Sequence, residues 1–216
     1  MRAEVFEIHW ITPEIRKLNK IVNKLKQGAV ILYPTDTGFT LGCQLANKNA
    51  IEKLRKIRNI SAKKSLTFLC KNLSNISAYA KISNNAYKTI KSLIPGPYTF
   101  ILPATKIVPQ LAINPNRKTV GIRVPDNIIA HALLELIEEP LISISAKIGE
   151  DDSFFFLTPD EIIDSFSNLV DIIIKTEHYN FVGESTVIDM VNDEFKIIRK
   201  GAGYENVDYI DIETTE

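Results

Sequence analysis

Cysteine is scarce in this chain: Cys43 and Cys70 are the only two in 216 residues. Neither forms a CxxC pair or stands at metal-ligand spacing from His9, His131 or His178, so a disulfide framework and a Cys/His metal site are not expected. Both lie in apolar runs, where cysteine behaves as a small buried hydrophobe. No stretch approaches the ~18 consecutive apolar residues of a membrane span. The opening MRAEVFEIHW has neither the apolar core nor the small-residue cleavage site of a secretory signal. Net charge is missing too. Lys+Arg 26 balances Asp+Glu 26, which argues against a strongly basic nucleic-acid coat or an acidic solvating protein. There is no Walker A loop, no GxGxxG, no GxSxG and no Cys–His pair, so no residue is assigned as a catalytic nucleophile. The expectation is a cytoplasmic, soluble protein with no membrane contact, whose chemistry comes from positioning and charge.

What is present is globular. Hydrophobic residues are 45% and charged residues 24%, ordinary values for a packed domain. The length suits one domain. The zero net charge conceals a segregation, because residues 1–64 hold 13 Lys/Arg and only 5 Asp/Glu. That surplus reads either as solvated lysines on helix faces or as attraction for an anionic ligand.

Periodicity and turn chemistry divide the chain. Val5–Trp10 reads as a first strand with Val5, Ile8 and Trp10 turned to the core. Thr12-Pro13-Glu14 reads as a helix start, with Leu18, Ile21, Val22 and Leu25 at helical spacing up to Gly28. Strands are expected at Ala29–Tyr33, Phe39–Leu45, Ser65–Cys70, Tyr98–Leu102, Thr119–Val124, Leu141–Ser145, Val170–Ile174, Thr186–Met190 and Phe195–Arg199. Helices are expected at Asn47–Asn59, Ser74–Tyr79, Asn84–Leu93, Ile128–Ile137 and after Thr158. The order mixes strand-helix-strand with strand-strand, which predicts an α/β domain around a twisted mixed sheet. Residues after Gly203 carry five acids and no base and read as a loosely ordered tail.

Several clusters could bind anions. Pro34-Thr35-Asp36-Thr37-Gly38 follows a buried strand directly, where open α/β sheets place ligands; an ordinary capped turn is the plain alternative. Arg55, Lys56, Arg58, Lys63 and Lys64 gather at a helix end, as a phosphate site or as a solvated face. Arg123 sits inside an apolar strand and needs an anion, either a structural carboxylate or a substrate carboxylate. Ser143, Ser145 and Lys147 alternate and so share one face. Ser185 opens a strand and Arg199 closes one.

Six strings occur in order: Tyr33-Pro34-Thr35-Asp36-Thr37-Gly38, Pro95-Gly96-Pro97-Tyr98-Thr99, Arg123-Val124-Pro125, Ser143–Ala146, Ser185-Thr186-Val187-Ile188-Asp189 and Arg199-Lys200-Gly201. In this order they resemble the YrdC/YciO family, whose best-known members are threonylcarbamoyladenylate synthases. Cys70-Lys71-Asn72-Leu73-Ser74 and Pro97-Tyr98-Thr99-Phe100 look most like its YciO branch. The resemblance implies one YrdC-like domain over residues 1–203, a 204–216 acidic tail, and a mixed, largely parallel sheet with flanking helices and a large concave pocket. It implies that L-threonine, bicarbonate and ATP become threonylcarbamoyladenylate and pyrophosphate, for threonylcarbamoyl modification of adenosine 37 in tRNA. ATP enters with Mg²⁺ as substrate, and no tightly bound cofactor is implied.

Carried over by position, Thr35 and Arg123 hold threonine, with Arg123 on its carboxylate, and Ser185 lies close by. Arg58, Ser145, Lys147 and Arg199 fall on the ATP side. Ile60 stands where the family has the Arg of Lys-x-Arg, and Lys147 where it has the Asn of Ser-x-Asn. Both departures fall on the ATP side, so weak adenylation is expected. The alternatives are a double-stranded RNA or tRNA binder of the same fold, using the basic N-terminal third, and a nucleotide-binding regulator without turnover.

Overall fold

The computed structural model describes residues 2–61, 66–147 and 157–210. Among these residues ten strands make one sheet: β1 (Glu4–Glu7), β2 (Ile31–Thr35), β3 (Gly38–Gln44), β4 (Thr67–Leu69), β5 (Tyr98–Pro103), β6 (Thr119–Arg123), β7 (Leu141–Ser145), β8 (Ile172–Lys175), β9 (Thr186–Asp189) and β10 (Lys196–Arg199). Their spatial order is β1-β8-β2-β3-β7-β4-β6-β5-β9-β10. Four neighbouring pairs are parallel and five antiparallel, so parallel crossovers are interleaved with antiparallel pairings. Among the described residues six α-helices accompany the sheet: α1 (Ile15–Lys26), α2 (Lys48–Ile57), α3 (Leu73–Tyr79), α4 (Asn84–Leu93), α5 (Ile128–Ile137) and α6 (Pro159–Phe166). Among the described residues, no helix is long and apolar enough to cross a membrane.

Side-chain caps set several helix starts. The side-chain oxygens of Asn47, Ser83 and Asn127 accept from Ala50, Ala86 and Ala130 N–H respectively. Thr158 and Glu161 form a reciprocal capping box on α6. Each satisfies backbone donors that a helix N-terminus leaves open.

Strand register decides which residues share a face, because opposite residues point the same way and neighbours along a strand point oppositely. Thr40 pairs with Tyr33 and Ser145, and Ser143 with Gly42 and Thr67. Thr67 pairs with Gly121, which faces Ile101. The opposite face presents Leu32, Leu41, Phe68, Phe100, Ile122 and Ile142. With Ile51 and Leu54 of α2, Ile76 of α3, Ile90 of α4 and Phe166 of α6, these form the larger core. On the first face, α1 and α5 cover one side, packing Leu18, Ile21, Leu25, Ile129, Leu133 and Leu134 against Ile31, Tyr33, Ile172 and Ile174. The rest of that face holds the pocket described below.

The structure corrects the sequence reading in five places. Val5 is exposed, and Phe6 and Ile8 face the core instead. Trp10 lies outside β1, edge-on to the His178 ring at 5.1 Å. Helix α1 begins after Glu14 rather than at Pro13, because the Thr12 hydroxyl is engaged by His9 Nδ1 while Glu14 Oε2 accepts from His9 N–H. β2 is shifted toward its C-terminus and runs through Pro34 to Thr35. Packed structure continues past Gly203: Val207 and Ile210 are buried, and the Tyr98 hydroxyl donates to Gly203 O. The end of the expected acidic tail, 211–216, lies outside the described residues.

Cys43 and Cys70 are buried free thiols. Burial pushes the Cys43 thiol up to about 12, and Cys70 is also raised by burial. Since the thiolate is the reactive form, the native protein at pH 8 should consume no Ellman's reagent over minutes, and two equivalents after denaturation. Rapid native labelling would show that one cysteine is accessible.

Candidate functional site

The uncovered sheet face forms a concave pocket of about 440 Å³. Its floor is a field of small polar side chains, Thr40, Thr67, Thr99, Ser143 and Ser145, and its rim carries Arg58, Arg123, Lys147, Glu184, Ser185 and Arg199. Glycine keeps this floor low. A Cβ at Gly121 would stand 2.7 Å from Thr67 Oγ1, and one at Gly42 would stand 2.7 Å from the Tyr33 ring.

Arg123 ends β6 and is 4% exposed. Its Nη2 pairs with Asp36 Oδ1 and its Nη1 donates to Thr37 Oγ1. Its Nε donates to Gly96 O at 3.3 Å. The anion that Arg123 requires is therefore a structural carboxylate in the β2–β3 turn. Burial works against the guanidinium charge and the Asp36 carboxylate works for it. A guanidinium has five N–H donors, so after these three bonds Arg123 still has N–H groups for a ligand.

Thr35, expected to touch threonine, does not line the pocket. It is 1% exposed, and its hydroxyl donates to Gly38 O at 2.9 Å and lies 3.3 Å from Thr37 Oγ1. Thr35 ends a strand and spends its hydroxyl closing the turn, while Thr37 lies in the turn and reaches the wall. Gly38, with φ +124°, takes a backbone conformation that a residue with a Cβ rarely adopts.

The remaining expected residues come together. Thr99 Oγ1 and Ser185 Oγ are 2.9 Å apart. Arg199 donates from Nη2 to Ser185 Oγ at 3.0 Å and from Nε to Ser185 O at 3.0 Å. Arg58, at the α2 C-terminus, donates to Lys147 O at 2.7 Å, and burial disfavours its charge. Lys147 Nζ lies 2.7 Å from Glu184 Oε1, and Arg199 Nη1 lies 3.2 Å from Glu184 Oε2. The residue preceding Ser185 thus binds two of the expected phosphate cations. Sequence reasoning passed over Glu184 because an acid in an irregular loop has no periodicity to mark it. Gly201 allows the close approach behind it, since a Cβ there would stand 2.3 Å from Glu184 O.

Other members of the basic cluster serve elsewhere. Arg55 is buried and donates to Ser61 O and Leu111 O, so it fastens a loop. Lys63 and Lys64 lie outside the described residues.

Beside the polar pocket is an apolar cavity of about 260 Å³ that includes Phe39, Ala146, Leu157, Ile162 and Phe181. The two cavities share Thr37, Ser145, Lys147 and Glu184. Together they suit a ligand with an anionic end and a flat or apolar end.

These features define an α/β protein with a cation-rimmed pocket on an open sheet face. The chain belongs to the Sua5/YciO/YrdC family, whose model, described as "Telomere recombination", matches residues 23–201. It is 40% identical over 203 residues to the YciO protein of Escherichia coli strain K12, covering 93% of this chain and 97% of that one. The crystal structure of E. coli YciO superposes with a TM-score of 0.85 at 38% identity, covering 94% of this chain and 98% of that one. The Sua5 protein of P. abyssi, crystallised in complex with L-threonine, superposes with a TM-score of 0.85 at 25% identity over 96% of this chain and 61% of that one. The threonylcarbamoyl-AMP synthase of Vibrio vulnificus strain YJ016 is 28% identical over 166 residues, 76% of this chain and 88% of that one.

Removing one partner of a buried ion pair leaves an uncompensated charge and costs about 3–5 kcal/mol. Asp36→Ala should lose stability on that scale in urea unfolding, and Asp36→Ala/Arg123→Leu should recover most of it. A loss below ~1 kcal/mol, the range of solvated pairs, would show that Arg123 is not held as described.

Proposed function

We propose that this chain is a threonylcarbamoyl-AMP synthase, forming threonylcarbamoyladenylate and pyrophosphate from L-threonine, bicarbonate and ATP for the modification of tRNA. The observation that supports it best is the meeting of Arg58, Arg123, Lys147 and Arg199 with Ser145 and Ser185 in one pocket. A relative bound to L-threonine and relatives named for this synthase activity, all of the same family, support the same reading.

In this reading the threonine carboxylate meets the remaining N–H groups of Arg123, with Ser185 beside the carboxylate or carbamate. Bicarbonate yields CO₂ and hydroxide; the threonine amine takes up the CO₂ and gives its proton to the hydroxide, leaving a carbamate and water, and a carbamate oxygen then attacks the α-phosphate as pyrophosphate leaves. Nothing in this sequence requires a protein nucleophile. What it needs is alignment of two anions that repel each other, and cations placed where charge builds up. Arg58, Lys147 and Arg199 supply those cations, Ser145 a hydroxyl, and the apolar cavity a dry wall for adenine. ATP would bring its own Mg²⁺. No group of three or more metal-ligating side chains occurs among the described residues, and Mg²⁺ commonly binds through substrate phosphates with one or two carboxylates.

Turnover should be slow. Lys147 stands where the family has an amide, and Ile60 where it has an arginine, so a directional contact and a positive charge are altered. The RNA-binding alternative draws less support, because Arg55 of the basic cluster turns inward.

Pyrophosphate release should require threonine, bicarbonate and Mg·ATP together, and Arg123→Lys or Arg199→Ala should reduce it at least ~10-fold, the effect of about 1.4 kcal/mol in the transition state. The absence of threonine-dependent release would remove this reading, and ATP binding without it would leave a nucleotide-binding protein without turnover.

A further inference from the structure

Glu184 pairs with two cations of the pocket. Its two carboxylate oxygens lie 2.7 Å from Lys147 Nζ and 3.2 Å from Arg199 Nη1. Both cations line the polar pocket, and Lys147 and Glu184 line the apolar cavity as well. The Lys147–Glu184 pair is therefore part of the wall between the two cavities. The side chains of Lys147, Glu184 and Arg199 are 20%, 27% and 41% exposed, so the pair is reachable from the pocket and only partly screened by water.

A multiply charged phosphate entering the pocket needs the same cation donors that Glu184 holds. Two anions cannot share them at close range without repulsion, so the phosphate must displace the carboxylate or accept weaker contacts. The carboxylate is covalently attached to the site and has a high effective concentration there, which makes it a strong competitor. The backbone at Glu184 and Ser185 is held: Arg199 donates to Ser185 O, and Ala202 N–H donates to Glu184 O at 2.8 Å. Release of the two cations then falls to the Glu184 side chain.

We infer that Glu184 is a resident carboxylate latch, which holds Lys147 and Arg199 in the empty pocket and must release them for a phosphate to bind. The latch is a positioning and selectivity device. It weakens binding of simple phosphates and admits a ligand that gains enough elsewhere, for example by also filling the apolar cavity. It rests on the reading of this pocket as the phosphate side of the site, but it can be tested without turnover.

The probe is inorganic pyrophosphate, followed by calorimetry and thermal shift at low salt on the full chain. Glu184→Gln should bind pyrophosphate about 10-fold more tightly than the unaltered protein and show a lower melting temperature without ligand. The gain should shrink as salt is raised. Glu184→Asp keeps the charge but is one methylene shorter, so it cannot bridge both cations equally well. It should tighten binding about 3-fold, and it keeps the test open if the glutamine variant does not fold. Glu177→Gln, a charge removal away from the pocket, should leave pyrophosphate affinity unchanged.

Equal affinity in the unaltered protein and both Glu184 variants would overturn the latch, as would the absence of pyrophosphate binding in all of them. An equal gain from Glu177→Gln would also overturn it, by showing a bulk charge effect. Tighter binding in the Glu184 variants, with no threonine-dependent pyrophosphate release from any protein, would uphold the latch and remove the synthase reading.

Discussion

The buried pair of Asp36 and Arg123 is the interaction on which the pocket's geometry depends. It joins the β2–β3 turn to the end of β6, with β7 and β4 lying between them in the sheet. A guanidinium inside an apolar strand is tolerable only with a fixed anion and satisfied donors. Asp36, Thr37 and the Gly96 carbonyl supply these from two separate corners. Once Arg123 is anchored, the turn bearing Thr37 and the corner bearing Gly96 have fixed positions relative to the sheet. The partly uncovered face then has a rigid end against which a small ligand can be held.

That face stays open for a reason written in side-chain size. Where α1 and α5 pack, the strands offer Ile31, Tyr33, Ile172 and Ile174, and burying them against helix leucines is favourable. Further across, the same face offers Thr40, Ser143, Thr67 and Gly121, with little apolar area to reward a covering helix. The other face is largely apolar and takes the remaining packing. Function and stability are thus separated between the two sides of the same strands, which the two-residue period of a strand permits.

Much of this was legible in the sequence where local chemistry and tertiary packing agree. Helix bounds at Asn84–Leu93 and Ile128–Ile137 were readable because Ser83 and Asn127 cap them and apolar residues repeat at helical spacing. The strand Leu141–Ser145 was readable from the alternation that leads into Ser143 and Ser145. Thr12-Pro13 misled because a side-chain network with His9 takes up the threonine that would have capped α1. Val5 misled because β1 is an edge strand whose phase is set by pairing with β8, which local sequence does not contain. Val207 and Ile210 were hidden among acids, and only their packing against the core reveals them. In the site, the cations were legible as unusual charges beside strand ends. Their acids were less so: Asp36 read equally well as an ordinary turn cap, and the importance of Glu184 exists only once Lys147 and Arg199 have been brought to it.

This pairing also explains why the segregated charge of the chain is a poor guide to the pocket. The basic first third gives the rim one cation, Arg58, and one acid beneath it, Asp36; the acidic remainder gives Arg123, Lys147, Arg199 and Glu184. Each acid binds cations from the acidic remainder itself. Surface lysines more than a Debye length away, about 8 Å at physiological salt, are largely screened. Among the described residues, the field a ligand meets is then set by four cations and two acids at hydrogen-bonding range. Of those acids, Asp36 is locked beneath Arg123, and the exposed one is Glu184. A change of a single carboxylate at the rim therefore alters the pocket more than several changes on the helix surfaces, and binding selectivity in this fold can shift while the sheet and its core stay as they are.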